Sequence, residues 1–192
     1  MTSAAAGAAD GAADGDDAGA DERMPQPAPG APDRAARLIA ELTRRGLRIA
    51  VAESLTGGLV VAELTRIPGA SLVVNGGVVA YDTAVKHSVL GVSSELLARE
   101  GAVHPEVARQ MADDVRRVLA VGGRPADIGL STTGAAGPTG QDGKTPGTVY
   151  VGVAVGADVE AIALELRGNR AEVRDQTVQL ALDAVLQRLD RG

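Results

Sequence analysis

Short apolar runs alternate with amphipathic segments along most of the chain. The apolar runs are rich in β-branched residues and predict strands at residues 47–52, 77–81, 128–132, 148–155 and 159–166. The amphipathic segments have apolar residues three and four apart and predict helices at residues 33–45, 55–67, 82–90, 93–100, 105–119 and 171–189. The last two strands follow each other through Gly156-Ala157-Asp158, which predicts a hairpin.

Strands separated by helices are typical of a mainly parallel sheet covered by helices on both faces. The pattern therefore predicts a single α/β domain over residues 33–192, with three layers (α/β/α) and a sheet that the hairpin makes mixed. Ligands of such sheets bind beyond the carboxyl ends of the strands. The loops at residues 53–58, 81–86 and 133–140 are expected to meet there.

Residues 1–32 differ from the rest of the chain. Ala, Gly, Asp and Pro dominate this segment, and its six acidic residues and one arginine carry most of the chain's net charge of −6. Such a segment cannot bury enough apolar surface to offset the entropy of ordering it. It is predicted to be a disordered acidic tail, and without a basic start or an apolar centre it does not resemble a secretory signal.

The composition excludes several kinds of function. The absence of Cys removes thiolate nucleophiles and zinc–thiolate sites, and the presence of only two histidines argues against a histidine-built metal centre, so neither a metal nor a cofactor is expected. The lack of Phe and Trp, together with a nearly neutral domain, argues against nucleic-acid binding. No apolar run reaches membrane-spanning length, and a cytoplasmic protein is expected.

The stretch "VAESLTGGLVVAEL" places Ser54 between a predicted strand and a predicted helix. Gly57 and Gly58 would let the backbone approach a ligand closely, and the first N–H groups of the helix would suit an anion. The alternative is purely structural: Ser54 or Thr56 caps the helix, and the glycines allow tight packing.

A serine nucleophile needs a base, and the chain offers few. Lys86 and Tyr81 flank the end of the second predicted strand, and a lysine in an apolar pocket can accept the proton of a serine hydroxyl. Tyr81 could relay that proton or hold the lysine. The alternatives are a solvated helix lysine and an aromatic residue at the rim, and His87 is expected on the surface.

A second segment of hydroxyls and glycines, "STTGAAGP" at residues 131–138, also follows a strand. Each glycine costs backbone entropy, so two such segments at one edge of the sheet indicate a site that cradles an anion. Arg170 precedes the last helix and could bind a phosphate or a carboxylate through two hydrogen bonds, or lie free on the surface.

These motifs occur together in a characteristic order. They are "AESLTGG" (52–58), "GGVVAYDTAVKHSVLGV" (76–92), "TTGAAGP" (132–138), "KTPGTVYVGVA" (144–154) and "RGNRAEVR" (167–174). In combination they resemble the C-terminal domain of the CinA competence/damage-inducible family over about residues 33–190. Stand-alone members of that family are nicotinamide-nucleotide amidases, and the pyrophosphatase half of longer members is not expected here.

The resemblance implies a metal-free amidase that converts nicotinamide mononucleotide to nicotinate mononucleotide and ammonia. Ser54 would be the nucleophile and Lys86 the base, with Tyr81 supporting the pair. The implied substrate-binding residues are Thr56, Gly57, Gly58, Thr133, Gly134 and Arg170. A homodimer is expected, and whether Lys144 and Arg174 reach the site stays open.

The same residues are compatible with two other functions. A non-catalytic nucleotide-binding or regulatory module would need the glycine loops but no base. A serine amidase or esterase with another small substrate would keep the same three catalytic residues.

Overall fold

The computed structural model describes residues 33–191. Residues 1–32 and Gly192 lie outside the described residues. The predicted disorder of the acidic tail is therefore not tested. Within residues 33–191 the helices are α1 (Arg34–Arg45), α2 (Leu59–Thr65), α3 (Thr83–Ser88), α4 (Ser94–Glu100), α5 (Pro105–Val118) and α6 (Arg170–Asp190). A 3₁₀ turn, Ala70–Leu72, lies between α2 and the strand that follows.

The strands form one five-stranded sheet. They are β1 (Ile49–Glu53), β2 (Val74–Val79), β3 (Ile128–Gly134), β4 (Thr148–Val155) and β5 (Asp158–Glu165), in the order β2-β1-β3-β4-β5. β1 is parallel to β2 and β3, whereas β4 is antiparallel to β3 and β5. The predicted α/β class and mixed sheet are confirmed, with two parallel and two antiparallel pairings. The carboxyl ends of β1, β2 and β3 lie side by side.

One face of the sheet packs against α1, α2 and α6 through large aliphatic side chains. Leu38, Leu42, Leu64 and Leu182 are fully buried there together with Ile49 of β1. The strand β1 is buried along its whole length, and its alternate residues serve the two faces of the sheet. β1 ends at Glu53, so Ser54 is the first residue beyond the strand.

The other face packs more closely, because small residues bring α5 onto the sheet. A Cβ atom added at Gly129 would lie 1.7 Å from the carbonyl oxygen of Ala112, and one added at Gly152 would lie 2.2 Å from that of Ala108. The Ser131 hydroxyl, on the same face, donates to the Ala108 carbonyl at 2.6 Å. The backbone of α5 therefore lies directly against the sheet at these positions, with no layer of large side chains between them.

The prediction for the start of α2 was wrong by several residues. The helix begins at Leu59, and residues 54–58 form a loop in which Gly57 and Gly58 have φ angles of 62° and 104°. These left-handed values favour glycine and prevent the helix from beginning earlier. β2 begins three residues earlier than predicted, at Val74, and β3 continues to Gly134. None of the helices within residues 33–191 combines the length and the hydropathy needed to cross a membrane.

Candidate active site

Ser54 lies directly beyond the carboxyl end of β1. Its N–H group donates to the carbonyl of Thr132, which extends the β1–β3 pairing by one residue, and its side chain is almost fully buried. Because β1 ends at Glu53, the direction of the Ser54 side chain is not set by the alternation of side chains between the two faces of the sheet. It meets the ammonium group of Lys86, whose Nζ donates to Ser54 Oγ at 3.0 Å.

Lys86 is fully buried, although lysine is almost never found so. Asp82 caps α3 by accepting from the Ala84 N–H, and this short helix carries Lys86 back under the end of β2. The ammonium group also donates to the carbonyl oxygens of Ala80 at 2.7 Å and Tyr81 at 3.3 Å. The alternative of a solvated lysine is therefore wrong.

Burial lowers the pKa of Lys86 to about 8, against the opposing effect of the charges on Asp82 and Asp142. Desolvation disfavours the charged form, so a neutral amine becomes accessible close to neutral pH. A neutral Lys86 can accept the proton of the Ser54 hydroxyl across the 3.0 Å contact. The two residues can thus act as a nucleophile and its base.

A pocket opens beside Ser54. It is lined by Ser54, Leu55, Tyr81, Gly134, Ala136, Gln141 and Arg170. The loops after β1, β2 and β3 all contribute, as expected from the parallel arrangement of these strands.

Tyr81 and Arg170 meet in this pocket. Arg170 begins α6 and donates to the phenol oxygen of Tyr81 at 2.7 Å and to the carbonyl of Gly137 at 3.0 Å. Tyr81 is 58% exposed, its phenol accepts from Arg170, and only its backbone carbonyl contacts Lys86. Tyr81 therefore supports the lysine through its main chain, and its phenol belongs to the ligand-facing wall.

Glu53 takes the anion site that the sequence suggested at the start of α2. Its fully buried carboxyl group accepts from the N–H groups of Gly58, Val60 and Val61 at 2.9, 3.1 and 2.9 Å. The expectation that these N–H groups bind a ligand anion is wrong, because the protein supplies the acceptor itself. A glutamate closing an otherwise apolar strand was the available signal for this role.

Arg174 reaches the loop after β1, which answers a question that the sequence left open. It lies one helical turn after Arg170 and donates to the carbonyls of Leu55 at 3.0 Å and Thr56 at 2.9 Å. The spacing of four residues on α6 was the signal that both arginines share a face. Lys144, in contrast, pairs through its backbone with Gln141 and does not line the pocket.

The structure does not bring all the predicted binding residues to the pocket. The Thr56 hydroxyl lies 2.7 Å from that of Thr132, and the Thr133 hydroxyl donates to the Ala102 carbonyl at 2.7 Å. Both threonines are buried and absent from the pocket wall. Gly57 and Gly58 serve the turn of the loop, whereas Gly134 does line the pocket.

A further loop closes one side of the pocket. Gln141 lines the pocket, and the next residue, Asp142, accepts from the N–H group of Ala102 at 2.7 Å. The Asp142 charge raises the pKa of Lys86 and so partly offsets the effect of burial.

Within residues 33–191 no three His, Cys, Asp or Glu side chains are grouped to hold a metal ion.

The chain is similar in sequence to a known family of domains. The family model for the CinA C-terminal domain matches residues 32–189. A CinA-like protein of Gemmatimonas aurantiaca is 48% identical over 155 residues, covering 80% of this chain and 35% of the relative. A CinA-like protein of Anaeromyxobacter sp. is 42% identical over 182 residues, covering 82% of this chain and 43% of the relative. The chain thus spans less than half the length of these curated relatives.

Solved structures agree in fold. A CinA superfamily protein from Klebsiella pneumoniae aligns with a TM-score of 0.78 and 29% identity, covering 83% of this chain and 98% of that one. A competence/damage inducible protein from Agrobacterium tumefaciens aligns with a TM-score of 0.74 and 34% identity, covering 81% and 93%.

Proposed function

The chain belongs to the CinA C-terminal domain family, and from that premise we propose that it is an amidohydrolase that converts nicotinamide mononucleotide to nicotinate mononucleotide and ammonia. One observation carries the proposal: a fully buried lysine with a pKa of about 8 contacts a serine hydroxyl at the edge of a pocket. A module that only binds nucleotides has no need for this pair, since burying a lysine is costly.

The reaction divides into two steps. Ser54 Oγ attacks the carboxamide carbon while Lys86 takes the hydroxyl proton, which gives a tetrahedral oxyanion. The C–N bond then breaks, Lys86 returns the proton to the nitrogen, and ammonia leaves an ester on Ser54. Water loses a proton to the neutral Lys86 and attacks this ester. The C–Oγ bond then breaks, Lys86 returns the proton to Ser54 Oγ, and the acid formed loses its proton to solvent and leaves as the carboxylate.

Arg170 favours an anionic substrate. Within residues 33–191 it has no carboxylate within 4.0 Å, so its charge is not neutralised by a neighbouring side chain. Its two bonds, to Tyr81 and Gly137, hold it in the pocket wall. A guanidinium held in this way suits a phosphate group, which a mononucleotide carries.

Release of ammonia from nicotinamide mononucleotide by purified protein, dialysed against EDTA, tests the proposal. Turnover by wild type and its loss in Ser54→Ala are expected, with nicotinamide riboside, which lacks the phosphate, hydrolysed less well. A protein that binds the nucleotide without releasing ammonia would instead be a binding module. A homodimer remains part of the proposal, to be measured by the mass of the particle in solution.

A further inference from the structure

The loop after β1 engages most of its N–H groups in bonds inside the protein. The Ser54 N–H donates to the Thr132 carbonyl at 2.9 Å, and the Gly57 N–H donates to the Ser54 carbonyl at 3.1 Å. The Gly58 N–H donates to the Glu53 carboxyl group at 2.9 Å. These bonds close the loop on itself and on β3.

Two N–H groups are left over. Among the described residues, those of Leu55 and Thr56 are the two in residues 54–58 without a hydrogen-bond partner. They directly follow Ser54, and Leu55 lines the pocket. Buried backbone N–H groups are seldom left unpaired, so an unpaired N–H group at Leu55, beside Ser54 and in the pocket wall, indicates a ligand atom that completes it.

Arg174 holds the other side of the same peptide groups. Its Nε donates to the Leu55 carbonyl and its Nη2 to the Thr56 carbonyl, at 3.0 and 2.9 Å. Within residues 33–191 no carboxylate lies within 4.0 Å of this guanidinium group. A half-buried arginine thus directs its charge at two backbone carbonyls, not at an acidic partner.

Both unpaired N–H groups end a chain of hydrogen bonds that starts at this arginine. The Leu55 carbonyl belongs to the same peptide group as the Thr56 N–H. The Thr56 carbonyl belongs to the same peptide group as the Gly57 N–H, and this N–H donates to the Ser54 carbonyl. The Ser54 carbonyl in turn belongs to the same peptide group as the Leu55 N–H. Hydrogen bonds in such chains polarise one another, so a cation at the carbonyl end strengthens the free N–H donors.

We infer that Arg174 is a positioning residue that orients and polarises the N–H groups of Leu55 and Thr56, and that the N–H group of Leu55, which lines the pocket, binds the oxyanion. The inference rests on the proposed function and adds to it the identity of the donor and of the residue behind it. Donors fixed before the reaction stabilise the charge on the oxygen without reorganising. Arg174 itself touches neither the nucleophile nor the base.

The test replaces Arg174 and follows the two amides directly. Arg174→Ala removes the guanidinium, Arg174→Lys keeps the charge without the planar fork, and Arg188→Met is the control. Arg188 lies on the same helix and pairs with Asp158 away from the pocket. In spectra of ¹⁵N-labelled full-length protein without substrate, the Leu55 and Thr56 amide protons are expected to move upfield in both Arg174 variants and to stay unchanged in the control.

Kinetics give the second measurement. Both Arg174 variants are expected to lower kcat by roughly ten- to a hundredfold, less than the 10²–10³ typical of deleting such a donor, with KM within about threefold of wild type. Added guanidinium ion is expected to restore part of the kcat that Arg174→Ala loses and to leave the kcat of Arg188→Met, which should equal that of wild type, unchanged. Thermal unfolding shows which variants are folded, and Arg174→Lys serves as the test if Arg174→Ala is not.

The outcomes separate the inference from the proposed function. If Ser54→Ala abolishes turnover while Arg174→Lys and Arg174→Ala keep wild-type kcat, the inference is wrong and the amidase stands. If wild type releases no ammonia, the proposed function fails, and unchanged amide shifts in the Arg174 variants would overturn the polarisation as well. Upfield shifts with a selective, guanidinium-rescued loss of kcat would support both.

Discussion

Two segments of similar composition border the pocket and have different roles. Residues 54–58 and residues 131–138 both combine hydroxyl side chains with glycines, the first directly after β1 and the second beginning within β3. In the first, the Ser54 hydroxyl meets the buried ammonium of Lys86. In the second, the hydroxyls of Ser131 and Thr133 donate to the carbonyls of Ala108 and Ala102 at 2.6 and 2.7 Å. Composition is therefore a poor guide to which hydroxyl group contacts a buried lysine and which is bonded to a backbone carbonyl.

The pleat of the sheet explains the difference. Ser131 and Thr133 lie within β3, two residues apart, so their side chains point to the same face, where α5 and the segment before it offer carbonyl oxygens. Ser54 lies one residue beyond the end of β1, where the pleat no longer directs its side chain. The hydroxyl group that contacts Lys86 is the one that lies outside the regular strand.

The largest effect is expected at Ser54. Ser54→Ala should lower kcat for amide hydrolysis by roughly a thousandfold or more, because the acyl-enzyme route is lost. Nucleotide binding should persist, since Arg170 does not depend on the hydroxyl. The matched control is Ser131→Ala in the second segment, which should keep kcat and lose only stability. A Ser54→Ala enzyme that retains more than about a tenth of wild-type kcat would show that Ser54 is structural.

A comparable loss is expected at Lys86. Lys86→Ala removes the base, and Lys86→Arg should not restore kcat because arginine stays protonated. The double variant Ser54→Ala/Lys86→Ala should be little worse than either single variant, since residues that act as a unit are not additive. Additive losses in steady-state kinetics would mean that the two side chains act separately.

Substitutions of the hydroxyl residues in residues 131–138 should lower stability and leave catalysis nearly unchanged. Thr133→Val keeps the shape of the side chain and removes the bond to Ala102, which should lower the free energy of unfolding by about 1–2 kcal/mol. Both kcat and KM should stay within about threefold of wild type, because a hydroxyl that already bonds inside the protein offers little to the transition state. A large rise in KM would instead favour the substrate-binding role that the resemblance implies for Thr133.

The smallest effect is expected in the pH profile. Because Lys86 must be neutral to act as the base, kcat/KM should rise with pH and level off above its pKa of about 8. Asp142→Asn removes a charge that raises this pKa, while the amide oxygen can still accept from Ala102. The inflection should therefore move to lower pH, and Asp158→Asn on the distant hairpin should leave it in place. An inflection that moves to higher pH would contradict the assignment of Lys86.

The sequence by itself determined the architecture and the place of the site. Apolar runs and amphipathic periods identified the strands and helices, because burial on one face imposes these spacings whatever the neighbours are. The order of strands and helices then placed the loops after β1, β2 and β3 at one edge. The pairing of Ser54 with Lys86 came from the order of the motifs and their resemblance to a family, since nothing local showed which of several polar residues would meet.

Only the tertiary structure decided which polar groups are free. Whether Lys86 is solvated or buried depends on the residues that fold around it, and its lowered pKa follows from that burial. The Glu53 carboxyl group accepts hydrogen bonds from the N–H groups that were expected to bind an anion. Arg174, 119 residues after Leu55 in the chain, donates to carbonyl groups of the loop after β1. A hydrogen bond depends on distance and direction between groups far apart in the chain, and periodicity carries no information about either.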